Sequence, residues 1–156
     1  MNTFDKKNVE DIFSLTPLQE SILYYYLKNP DSLIYLEQLR MEINGTIDLQ
    51  LFKRAWEEVC RNNEMLRAVY RWENVKQPVQ VILKKHRLNL KYIDLSDLKN
   101  KEEVQAQRLR DITEQDGGTP FNLREVPFRL ILCKKDRDKY SLIISNHHII
   151  YDGWSN

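Results

Sequence analysis

Two alternating apolar segments on either side of a charged turn commit the end of this chain to a β-sheet. Phe128, Leu130 and Leu132 alternate with Arg129, Ile131 and Cys133. After the charged run Lys134 to Lys139, the segment Tyr140 to His148 runs back. Successive side chains of a strand point to opposite faces, so this pattern predicts a hairpin. Upstream, Thr16-Pro17-Leu18-Gln19 combines a hydroxyl at the N-cap, proline at the first helical position and Gln at N3, which together start a helix. Leu18, Ile22, Leu23 and Tyr26 share one face of it, and Asn29-Pro30 ends it. Tyr35 to Ile43 alternates as a half-buried strand. Asn44-Gly45 turns, Asp48 is an N-cap, and Leu51, Phe52, Ala55, Trp56, Val59 and Cys60 form a helical stripe. Leu66 to Trp72 and Val79 to Leu83 read as strands, Leu88 to Ile93 as a shorter one, and Lys101 to Gln115 as a helix ending at Gly117-Gly118. Helices interspersed with hairpin-like strands predict an α/β chain of the α+β kind: a mixed, mostly antiparallel sheet with helices packed on it.

Composition narrows the function. A length of 156 residues suits one domain or one large lobe. Lys plus Arg number 24 against 23 Asp plus Glu, a net charge of +1, so there is no global field to hold nucleic acid. No apolar run reaches the ~18 residues that a membrane helix needs. Met1 to Phe13 is polar and mixed in charge, unlike an export signal. A cytoplasmic protein, off the membrane, is the expectation. Cys60 and Cys133 lie far apart inside apolar patterns, which reads as two buried thiols rather than a disulfide or a zinc site.

The most chemically loaded segment is Asn146-His147-His148-Ile149-Ile150-Tyr151-Asp152-Gly153. Alternation puts Leu142, Ile144, Asn146 and His148 on one face, and Ile143, Ser145 and His147 on the other. One imidazole can therefore be held within the fold while the other enters a cleft and accepts a proton. Asp152, if buried, needs a cationic partner, and Gly153 allows a close backbone approach. Residue types alone equally allow a His-rich turn in which Asp152 merely caps a helix. For metal, adjacent strand histidines diverge and His86 is the only other imidazole, so no metal site is expected.

The run from His147 to Gly153 resembles the HHxxxDG signature of condensation domains in nonribosomal peptide synthetases, whose fold is similar to chloramphenicol acetyltransferase. Ser14-Leu15-Thr16-Pro17-Leu18-Gln19-Glu20 resembles that family's opening motif, and Arg61-Asn62-Asn63-Glu64-Met65-Leu66-Arg67 its RHExLR motif. Asn62 and Asn63 depart from the latter, leaving Glu64, Leu66 and Arg67 as matches. Pro120-Phe121-Asn122-Leu123 with Pro127 resembles a further shared stretch.

The resemblance implies a chloramphenicol acetyltransferase-like N-terminal lobe over residues 14–156, cut after its signature motif and lacking the C-terminal lobe. It implies His148 at the reaction centre, His147, Asp152 and Gly153 supporting it, and Arg67 pairing with Asp152. Arg67 heads a strand that could neighbour the last one; a solvated surface arginine is the alternative. The implied reaction is amide formation between a donor thioester and an acceptor amine. Both arrive on phosphopantetheine arms of carrier proteins, and the chain itself binds no cofactor. Residues 1–13, with Phe4, Val9, Ile12 and Phe13 among charges, could dock an upstream synthetase subunit or simply fray. A lone first lobe is expected to condense negligibly and to expose apolar surface that self-associates. An epimerization domain, a free-standing acyltransferase of the same superfamily and a noncatalytic lobe that recruits carrier proteins are the alternatives.

Overall fold

The structure, a computed structural model, describes residues 6–151. After a single 3-10 turn, Lys6–Asn8, the elements run β1 (Val9–Ser14), α1 (Pro17–Lys28), β2 (Leu36–Asn44), α2 (Leu49–Asn62), β3 (Ala68–Arg71), β4 (Val79–Leu83), β5 (Leu90–Asp94), α3 (Glu102–Gly117), β6 (Phe128–Asp136) and β7 (Lys139–His147). The anticipated single sheet is two. One is antiparallel, in the order β1-β4-β3; the other has the order β2-β7-β6-β5, antiparallel except for the parallel pair β5–β6. Both carry helices, as the α+β reading requires.

Local signals act where the sequence puts them. Thr16 and Gln19 form the reciprocal capping box of α1, and Asn29 ends that helix. Asp48 accepts from Gln50 N and Leu51 N at the start of α2. Ile22, Leu23 and Tyr26 are buried, but Leu18, in the first turn of α1, is exposed. In α2 Leu49, Phe52, Trp56 and Cys60 turn inward. Leu51 and Val59 face outward, because a single sheet face covers a narrower seam than the six-residue stripe. Leu66 and Arg67 belong to a 3-10 turn (Glu64–Arg67), so the strand expected from Leu66 begins at Ala68. The expected boundary after Phe13 falls inside β1, whose Val9 to Ser14 pair with β4. Val9, Ile12 and Phe13 of the suggested docking element thus belong to the sheet, and Phe4 lies outside the described residues. Cys60 and Cys133 are free and buried. No described helix is long and apolar enough to cross a membrane.

A buried polar network fixes α3 to the second sheet. Asp116, in the last turn of α3, accepts from Arg129 Nε of β6 at 2.5 Å, from Gln38 Nε2 of β2 at 2.9 Å, and from Ser145 Oγ of β7. Arg129 also donates to the carbonyls of Asp116 and Thr119, and its guanidinium lies 4.0 Å from the Phe121 ring centre. A carboxylate at a helix C-terminus opposes the helix dipole; the arginine offsets it and caps the orphan carbonyls at the same time.

Arg67 plays a comparable part on the other sheet. It is 6% exposed, donates through Nε to Cys60 O at 3.0 Å in the last turn of α2, and reaches Leu83 O and the Glu10 carboxylate through Nη1. The strand after it, β3, lies in the sheet without β7, so the neighbour relation expected from sequence does not form. Arg67→Ala is expected to cost about 3 kcal/mol, since it leaves buried carbonyls without donors. Glu10→Ala, at a half-exposed partner, should cost under about 1 kcal/mol. Urea unfolding of the two variants measures both, and equal losses would show that the ion pair rather than the carbonyls matters.

Candidate active site

The hairpin β6–β7 delivers the paired histidines to the end of a strand, with Phe128 opposite Asn146 and Leu36 opposite His147. The two imidazoles have separate environments. His147 is 4% exposed and packs against the rings of Tyr26 at 6.1 Å and Tyr35 at 5.8 Å. Its Nδ1 accepts from Ile149 N at 3.2 Å, which assigns the ring proton to Nε2. Burial, with a smaller contribution from His148, pushes its pKa down to about 4, so this ring is neutral at physiological pH.

That depression makes a pH prediction. An unfolded chain protonates His147 near 6.5, whereas the folded chain resists protonation until about 4. The folded state therefore binds fewer protons in this interval and its stability falls as pH drops. The contribution is fully present above about 6.5 and is lost progressively toward about pH 4, roughly 3 kcal/mol in all. Denaturant midpoints measured across this range should fall toward acid, and His147→Gln should flatten the slope.

His148 stands just past β7 and is partly open, with 31% of its side chain exposed. Its backbone N–H donates to Tyr35 O at 2.8 Å. Its Nδ1 lies 2.7 Å from Tyr151 O. A carbonyl can only accept, so Nδ1 carries a proton, and in the neutral ring the lone pair is on Nε2; no described residue bonds Nε2. Glu37 Oε1 is 3.9 Å from Nδ1, and Glu37 Oε2 accepts from Asn146 Nδ2 at 3.1 Å across the β2–β7 pair.

The turn that follows is held from two directions. Ile149 O accepts from Tyr70 Oη of β3 at 3.0 Å and from Gln19 Nε2 of α1 at 3.1 Å. Gln19 thus does two jobs: Oε1 closes the capping box on Thr16 N at 3.0 Å, while Nε2 reaches the histidine turn. Burial raises the pKa of Tyr70, so its hydroxyl stays a donor. The structure brings together the opening motif and the paired histidines. It leaves Arg67 in the contacts described above, and Asp152 and Gly153 lie outside the described residues. Glu37, Tyr35, Tyr70 and the second role of Gln19 are not visible in the sequence. Only the β2–β7 register could have pointed to Glu37. No group of three or more metal-ligating side chains occurs among the described residues.

A strand end with one locked and one open imidazole, in a two-sheet α+β lobe, defines a class, and comparison with known proteins supplies its family. The condensation domain model matches residues 9–156, and the chain belongs to that family. It is 35% identical over 155 residues to surfactin synthase subunit 3 of Bacillus subtilis strain 168, covering 99% of this chain and 12% of that protein. It is 34% identical over 155 residues to gramicidin S synthase 2 of Brevibacillus brevis, covering 99% of this chain and 3% of the relative. The chain thus spans a small fraction of the curated relatives it matches. Among solved structures, the first condensation domain of the calcium-dependent antibiotic synthetase, in complex with a substrate analogue, superposes with a TM-score of 0.78 at 23% identity, covering 93% of this chain and 34% of that one. The starter condensation domain of rhizomide synthetase gives 0.76 at 21% identity, covering 92% and 35%. The chloramphenicol acetyltransferase-like fold expected of the family is the fold observed.

Proposed function

We propose that this lobe contributes the reaction centre for amide formation between a donor acyl or peptidyl thioester and an acceptor aminoacyl thioester, both delivered on phosphopantetheine arms of carrier proteins. The acceptor amine attacks the thioester carbonyl, the C–S bond breaks, and the donor arm leaves as a thiol. The amine proton passes to His148 Nε2 and from there to the departing sulfur. The observation that carries this reading is the division of labour between the imidazoles: His147 is neutral and enclosed, while His148 is oriented through Nδ1–H and keeps Nε2 as a base. Thioesters are already activated toward amines, so most of the acceleration comes from holding the partners in attack geometry, up to ~7–11 kcal/mol.

In this reading His147, Asp152 and Gly153 are supporting residues of the motif, and Arg67 is structural, through Cys60 O, Leu83 O and Glu10. A second lobe would close the passage in which the two arms meet, and an upstream synthetase subunit would supply the donor. The test is single-turnover product formation between donor- and acceptor-loaded carriers, in a synthetase subunit carrying this sequence, with and without His148→Ala. Undiminished product in the variant would remove His148 from the reaction.

A further inference from the structure

Between β4 and β5 the chain runs Lys84-Lys85-His86-Arg87, a basic segment that the candidate active site does not use. It is a fixed segment. Asn8 Nδ2 donates to Lys85 O and Asn8 Oδ1 accepts from Lys85 N, each at 2.9 Å, and Lys84 N donates to Asn8 O at 2.8 Å. His86 and Arg87 of this segment line a cavity of about 530 Å³. Val69 and Leu88, both buried, contribute its apolar floor, and Arg71, Arg87 and Arg124 its rim. Val69 points to the opposite face of β3 from Tyr70. Since Tyr70 reaches the histidine turn, the cavity lies behind that sheet, away from His148.

Two independent features mark the cavity for an anion. His86 Nε2 is buried and has no hydrogen-bond partner, a state that native interiors rarely tolerate unless a ligand or water answers it. The charges are also one-sided: Arg71 and Arg87 line the cavity together with Arg124, whose charge Glu73 offsets, and Glu125 is the one carboxylate residue in the lining. The arginines are held close together. Arg71 Nη1 donates to Tyr70 O at 2.7 Å and to Arg124 O at 3.0 Å, while Arg124 pairs with Glu73 at 2.5 Å and stacks 4.5 Å over Trp72. Burial and the neighbouring Arg124 both lower the pKa of Arg71, as accumulated positive charge does. A carboxylate offers two oxygens to these donors and a phosphate three, and guanidinium forks match phosphate geometry.

We propose that this cavity binds a small phosphate monoester, with the Arg71 and Arg87 guanidiniums and His86 Nε2–H on the phosphate oxygens and a compact apolar body against Val69 and Leu88. The site would bind independently of any chemistry at His148.

Methyl phosphate, titrated into the full chain at constant ionic strength while the histidine ring resonances are followed by NMR, tests it. A saturable shift of His86 in the millimolar range or below is expected. Arg87→Gln, a substitution on an exposed loop, should weaken it about tenfold or more without altering the tryptophan fluorescence of the unliganded chain. A shift that does not saturate, or that sodium chloride reproduces, would reduce the effect to charge screening and overturn the site. An equal response to acetate would overturn the phosphate assignment. Unchanged affinity in both Arg87→Gln and His86→Gln would show that the phosphate sits elsewhere.

Discussion

His148→Ala in the intact synthetase subunit is expected to slow amide formation about 100-fold, at the lower end of what a positioned general base contributes. The lower end applies because a thioester needs no activation to react with an amine; what the imidazole adds is removal of the ammonium proton as the C–N bond forms. The hydrogen bond from His148 Nδ1 to Tyr151 O makes the base a specific atom, Nε2, and that supports a sharper experiment than alanine alone. His148→Asn places an amide N–H near the position of Nδ1 and can keep the bond to Tyr151 O, but it has nothing at Nε2. If the base matters, asparagine should be as slow as alanine. If His148 serves only to shape the turn, asparagine should recover much of the rate. Single-turnover amide yield, with carrier loading checked separately, distinguishes the two.

The largest effect on stability is expected at Asp116. Its side chain is 7% exposed and that of its partner Arg129 12%. Removing the carboxylate leaves a guanidinium in the interior with two carbonyls and the Phe121 ring but no counter-charge, and Gln38 and Ser145 lose a shared acceptor. Asp116→Ala should therefore cost about 3–5 kcal/mol, the range seen when one member of a buried pair is deleted. The double variant Asp116→Leu with Arg129→Met removes both charges and should recover part of that loss, since apolar replacement of a buried pair is often close to neutral. Urea unfolding curves with unchanged slope give the comparison; a loss below about 1 kcal/mol in Asp116→Ala would mean that water reaches the arginine.

Much of the architecture is legible in the order of residues alone. The cap at Thr16, the stop at Asn29, the N-cap at Asp48 and the β6–β7 hairpin all rest on interactions within a few residues, where propensity and period are reliable guides. The departures have two causes. Leu18, Leu51 and Val59 have the right spacing for a core face yet stay exposed, because spacing defines a stripe but not how wide a surface meets it. The pattern around Arg67 predicts a place beside the final strand. Arg67 lies under the other sheet instead, because strands that resemble one another locally carry no label for the sheet they join.

By itself, the amino-acid order determined the starts of α1 and α2, the end of α1, the alternation of β6 and β7 and the presence of two divergent histidines at a strand end, all set by neighbours along the chain. Only the tertiary structure decided that Gln19 and Tyr70 meet the Ile149 carbonyl, that Glu37 lies beside His148, and that Asp116 and Arg129 pair. Those contacts join residues far apart in sequence, and they form only after two sheets have closed around a common core; burial and register, rather than local preference, select the partners.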